Sequence, residues 1–157
     1  MAVYTVVAVL GALHPFAQNA ADAKMKPFEA ALDTSDGMRL CGNGDAGYGP
    51  DNLIPWSTVY YLVPRADDVS TTLKKTAAEQ GYPLSPVVSA SEDEHSPQPD
   101  EALRSGDRVR ISIYRNTDVP LYCDDIERYG DKRHVGSDDA IVEVDIELPA
   151  HRVDPSQ

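Results

Sequence analysis

Hydrophobic and polar positions along the chain sort into a few elements with clear periods. Residues 58–63 (Thr58-Val59-Tyr60-Tyr61-Leu62-Val63) are β-branched, aromatic or aliphatic throughout. Both faces of such a strand expect burial, as in the middle of a sheet with neighbours on either side. Pro64 ends the run, and the spacing then predicts a helix over residues 67–80. Asp67 or Asp68 can cap its first turn while complementing the helix dipole. Val69, Leu73, Thr76, Ala77 and Gln80 fall on one side of it, with Ser70, Lys74, Lys75 and Glu79 on the other. Gly81 stands where a left-handed C-terminal residue belongs, Tyr82 can fold back over Ala77, and Pro83 forbids continuation. Leu84 to Ala90 then reads as a second strand, so the central unit is strand, helix, strand.

Strict alternation appears twice more. Arg108-Val109-Arg110-Ile111-Ser112-Ile113 and Ile141-Val142-Glu143-Val144-Asp145-Ile146-Glu147-Leu148 each place aliphatic residues on one face and polar residues on the other. Arginines on one strand and carboxylates on the other suit antiparallel neighbours with one wet face, each exposed pair contributing about 0.2–1 kcal/mol. Near the N-terminus, residues 26–32 read as a short helix with Pro27 at its first position and Phe28, Ala31 and Leu32 along one side. Together these elements define an α+β domain: a small antiparallel or mixed sheet with one main helix, 67–80, on one face. A ferredoxin-like strand–helix–strand arrangement is one form of that architecture, and a right-handed crossover follows if its strands are parallel.

At 157 residues the chain suits a single domain. The expected division is residues 1–23, a domain over 24–150 and a polar tail over 151–157, which should fray. Residues 2–13 form an apolar run whose length suits a signal-peptide core, and Ala21-Asp22-Ala23 supplies an A-x-A cleavage pattern after it. No Lys or Arg precedes the run, and its valine-rich composition also suits a buried first strand, so export signal, core strand and uncleaved anchor all stay open. Export places the protein in the medium or the cell envelope, with no stable membrane insertion after cleavage. The formal net charge of −12 repels nucleic acid and anionic membranes and favours an unknown protein partner or a small cationic ligand.

Candidate chemistry is sparse. Cys41 and Cys123 are the two cysteines, and in an exported chain they suggest one disulfide across a long connection. Residues 42–52 form a glycine-rich loop with several oxygen-bearing side chains, but the sixth and twelfth positions counted from Asn43 are Tyr48 and Ile54, where a calcium loop needs glycine and glutamate. Ser89 to Glu101 is acidic and proline-bearing, and reads as a flexible excursion. The long connection over 116–139 holds Cys123 and His134. The four histidines lie in four segments and form no metal-binding spacing, so no catalytic, cofactor-binding or metal-ligating residue is assigned. Trp56, Tyr60 and Tyr61 form a candidate aromatic binding patch that competes with simple core packing. The leading functional reading is a small acidic, exported, non-enzymatic binding protein. The alternative is a small hydrolase or metal-dependent enzyme whose site is assembled from loops 42–52 and 116–139, where His134 or Cys123 would meet carboxylates.

Overall fold

The computed structural model describes residues 20–49, 52–87, 99–121, 132–136, 138–149 and 151–152. In chain order the elements are helix α1 (residues 20–34), strands β1 (Met38–Gly49) and β2 (Asn52–Pro64), helix α2 (Ala66–Glu79), and strands β3 (Ser85–Pro86), β4 (Asp100–Arg104), β5 (Asp107–Tyr114), β6 (Thr117–Pro120), β7 (Lys132–Val135), β8 (Asp139–Glu147) and β9 (His151–Arg152). The fold class is α+β. The main sheet runs β1-β2-β8-β5-β4-β3, every neighbouring pair antiparallel, with β9 beside the start of β2; β6 and β7 form a separate two-stranded ribbon.

Alternation explains why β8 takes a central place. Its Ala140, Val142, Val144 and Ile146 are fully buried on one face. There they join Val59, Tyr61 and Val63 of β2, Val109 and Ile111 of β5, Met25, Phe28 and Leu32 of α1, and Val69, Leu73 and Ala77 of α2 in one core. Two helices therefore contribute to this core, where the sequence pattern gave 67–80 as the one main helix on the sheet and 26–32 as a short one. α1 is longer than expected because its buried stripe begins at Ala21 and continues through Met25, Phe28 and Leu32 at helical spacing. Pro27 consequently stands inside the helix instead of at its first turn. The Ala21-Asp22-Ala23 motif lies in α1, and a cut after Ala23 would remove the buried Ala21. Residues 1–19, with the apolar run, are outside the described residues.

The ends of α2 show which local signals operate. Gly81 has φ +85°, its N–H donates to the Ala78 carbonyl at 2.9 Å, and the Tyr82 N–H donates to the Ala77 carbonyl at 2.8 Å. That is a Schellman stop with Tyr82 packed back into the core beside Ala77. At the other end neither Asp67 nor Asp68 is the cap. Arg65 occupies that position in the left-handed region (φ 51°, ψ 58°) without a side-chain cap, and the two aspartates lie in the first turn, where they complement the dipole. Tyr82 also links three elements: Lys24 Nζ of α1 donates to its hydroxyl at 2.6 Å, and that hydroxyl donates to Asp107 Oδ2 of β5 at 2.6 Å. The phenol oxygen and the Asp107 carboxylate beside Lys24 raise the pKa of its ammonium against the opposing effect of burial.

Several expectations change in the tertiary context. The strand after α2 shrinks to Ser85–Pro86, pairs with β4 at the sheet edge, and is separated from β2 by three strands. Both edges of β2 are occupied by β1 and β8, so no place remains there for the strand that follows the helix; the strand–helix–strand unit spans the sheet instead of closing a neighbouring pair. Residues 42–49 are not a loop but the outer half of β1, in register with β2 from Gly42 opposite Val59 to Gly49 opposite Asn52. Backbone pairing along a long hairpin outweighs the poor strand propensity of its glycines. Asp100 and Glu101 belong to β4, which returns to β5 through Ser105 and Gly106, both at positive φ (54° and 91°), as a two-residue type I′ turn requires. His151 and Arg152 pair with Leu53 and Asn52 as β9. Residues 88–98 are outside the described residues. Among the described residues no helix is long and apolar enough to cross a membrane.

Leu73 is 1% exposed at the centre of the α2 stripe. Leu73→Ala should lower stability by about 2–5 kcal/mol. Lys74 is a poor control, because its ammonium lies 2.9 Å from Asp100 of β4. The exposed Lys75→Ala should change stability by less than about 0.5 kcal/mol. Denaturant midpoints compare the two, and equal small effects would contradict the packing of α2 on the sheet.

Candidate functional site

The second face of the sheet carries the polar halves of the alternating strands, arranged in rows across the chain direction. One row runs Trp56, Glu147, Arg108, Leu103; the next Thr58, Asp145, Arg110, Glu101; the third Tyr60, Glu143, Ser112; the fourth Leu62, Ile141, Tyr114. The fourth row is covered. Leu62, Ile141, Tyr114 and Tyr60 pack with Cys41 and Leu40 of β1 against Val119, Leu121 and Val135 of the β6–β7 ribbon, forming a second, smaller core. The first three rows are mainly polar: Thr58, Tyr60 and Ser112 in them are buried, the charged side chains are half-buried, and Leu103 at the end of the first row is exposed.

Each carboxylate in those rows is held by a named donor. Tyr60 and Tyr114 donate their hydroxyls to Glu143 Oε1 and Oε2 at 3.0 and 2.7 Å, and Thr58 Oγ1 donates to Asp145 Oδ1 at 2.7 Å. Arg108 donates to Glu147, and Arg110 donates through Nε and Nη2 to Glu101 Oε2 at 3.0 and 2.8 Å. These bonds fix rotamers in advance, so a ligand engaging the carboxylates meets groups already ordered. Burial, reinforced by the neighbouring Glu143 charge, pushes the Tyr114 phenol up, which keeps it a hydrogen-bond donor. With four carboxylates against two guanidiniums, the face is acidic on balance. Leu103, at the end of the first row, is 70% exposed.

The three aromatic residues singled out from the sequence do not share a surface. Tyr61 points into the main core and Tyr60 to the opposite face, both 2% exposed, while Trp56 is half-buried in the first row. Their mixture of roles follows from the two-residue period of β2. Of the two regions proposed to build an enzyme site, 42–49 is strand and 116–139 contributes the β6–β7 ribbon. Cys41, just before the first of them, packs with Val119 and Leu121 of the second. His134 Nδ1 lies 2.9 Å from Asp118 Oδ1 across that ribbon, with both side chains exposed. Cys123 is outside the described residues. Thr58, Glu101, Ser112 and Tyr114 join the site without standing out in the sequence. The alternation of β5 could have placed Ser112, but Glu101 came from a segment read as flexible, and Tyr114 stood beyond the run.

A cleft of about 320 Å³ opens where α2 begins, lined by Arg65, Asp67, Asp68, Arg115, Asp138 and Asp139. Arg115 Nη2 spans it to Asp67 Oδ1 at 2.5 Å. Among the described residues, no group of three or more histidine, cysteine or acidic side chains is placed to hold a metal ion. No protein family, curated protein or solved structure matches the chain.

The Tyr61 phenol is pushed up to about 12 by burial and by the Asp33 and Glu29 carboxylates. An unfolded tyrosine ionises near 10. The folded state therefore holds a proton that the unfolded chain has released. The resulting stability is complete below about pH 10 and lost as pH rises to about 12. Tyr61→Phe should weaken the alkaline loss of stability and remove one late-ionising phenol from the absorbance titration at the phenolate band. An unchanged titration would contradict this environment.

Proposed function

We propose that this chain is a non-enzymatic binding protein that acts outside the cytoplasm and engages its partner through the polar face of the sheet, at the end where Leu103 is exposed. The observation that carries the reading is the set of β8 carboxylates, Glu143, Asp145 and Glu147, held at two-residue spacing by hydroxyl and guanidinium donors from both flanking strands. A preorganised polar array beside a half-buried tryptophan and an exposed leucine has the composition of a recognition surface. Replacing Leu103 with a photo-crosslinking phenylalanine derivative in producing cells should give a discrete adduct after irradiation. The same replacement at the exposed Ala78 of α2 should not. Equal labelling at both positions would overturn the reading.

The proposal includes a Cys41–Cys123 bridge, which suits an oxidising compartment. Cys41 is 8% exposed and packs in the same small core as Leu121, two positions before Cys123, and no free cysteine stands among the described residues. The bridge would close 82 positions (123 − 41). On a chain-entropy account, that contributes up to roughly 4.5 kcal/mol. Protein recovered from the medium or cell envelope should resist alkylation until reduced and then accept two labels. Intact mass reads both counts, and two labels without reduction would exclude the bridge.

A further inference from the structure

We propose that the first turn of α1 is a clasp that the working protein keeps: the Ala23–Lys24 peptide bond stays intact, and Ala21-Asp22-Ala23, which has the form of a leader-cleavage motif, is a structural part of the domain. The inference concerns the N-terminal boundary of the domain and does not depend on the binding reading above.

Pro27 makes the case. It has no N–H to donate to the carbonyl four residues back, that of Ala23, and a helix read from local signals starts at that proline. α1 nevertheless extends back to residue 20, because tertiary contacts hold what the backbone ladder supports poorly there. Ala21 is fully buried and Met25, one turn on, is 2% exposed, both in the core shared with α2 and the sheet. Between them Lys24 reaches two other elements. Its ammonium lies 2.6 Å from the Tyr82 hydroxyl, 3.0 Å from Asp107 Oδ2 and 5.2 Å from the centroid of the Tyr82 ring. Tyr82 is itself buried and donates to the same carboxylate. α1, the turn after α2 and the start of β5 are thus joined at one lysine that stands ahead of Pro27.

Hydrolysis after Ala23 would add water across that bond, leaving a carboxylate on Ala23 and an ammonium on Lys24. Only Lys24, Met25 and Lys26 would then precede Pro27, less than one helical turn. In an α-helix the N–H groups of those residues bond to the carbonyls of residues 20–22, which the cut removes. Lys24 and Met25 would lose the backbone that aims them at Tyr82 and at the core. The new ammonium would in addition oppose the helix dipole. Any processing that leaves the domain whole therefore falls ahead of Ala21.

Intact mass of the protein recovered from its producing host reads the boundary. A start at or ahead of Ala21 is expected, and a start beyond Ala21 would overturn the proposal. A chain that starts at Met1 would keep the clasp while removing the case for a cleaved leader, so the clasp and the export reading fail separately. Ala23→Leu gives a second arm. Ala23 is exposed on α1 and leucine is a good helix former, so the fold is retained, but a large side chain beside the bond blocks a signal peptidase acting there. This variant should be recovered with the wild-type start, and a longer product would overturn the proposal. In the purified full-length protein Ala21→Asp should lower Tm by about 5 °C or more, since it puts an unpaired carboxylate in the core, while Ala23→Leu should move it by less than about 1 °C. An unchanged Tm in Ala21→Asp would show the turn to be dispensable and overturn the clasp.

Discussion

The fold depends on one constraint, the register of β8 between β2 and β5. Its odd and even residues carry opposite duties: Ala140, Val142, Val144 and Ile146 complete the helix-covered core, while Glu143, Asp145 and Glu147 face the donors of the other side. A slip of one residue would drive three carboxylates into the core and expose four apolar side chains. Both flanking strands enforce the same register independently, because Val59, Tyr61 and Val63 on one side and Val109 and Ile111 on the other meet those residues in the core.

Around that centre the helices are held by burial and by a few specific ties. α1 and α2 lie in the same core, and the Lys24–Tyr82–Asp107 chain joins α1, the turn after α2 and the start of β5. Its hydrogen bonds are charge-assisted and in part shielded from water, so they outweigh the exposed ion pairs such as Arg65–Asp36 at 3.7 Å. Glu29 of α1 and Arg39 of β1 add a further contact at 3.4 Å. The ribbon formed by β6 and β7 covers the opposite face along the Leu62, Ile141 and Tyr114 row and at Tyr60 of the row beside it.

This division of one sheet into a helix-covered apolar side and a polar side is the basis of the functional proposal. The polar face combines carboxylates, hydroxyl donors and two guanidiniums in fixed rows. The cleft at the start of α2 is of a different kind: four carboxylates and two arginines surround it, with Arg115 already engaged by Asp67.

The sequence alone carried the local features, because they rest on neighbours along the chain. The Gly81–Tyr82–Pro83 stop, the stripe of Val69, Leu73 and Ala77, the doubly buried β2 and the opposed alternation of β5 and β8 were all legible in this way. Tertiary structure decided what depends on distant pairing. It made a strand of the glycine-rich 42–49 by setting it against β2, placed the segment after α2 at the far edge because both sides of β2 were occupied, and drew Asp100 and Glu101 into β4. It also separated Tyr60 from Tyr61 and brought Tyr60, Tyr114 and Glu143 together from three strands. Period and composition specify which face of a strand is apolar, but which strands adjoin is settled only when competing edges are filled, and the candidate site is a product of that second step.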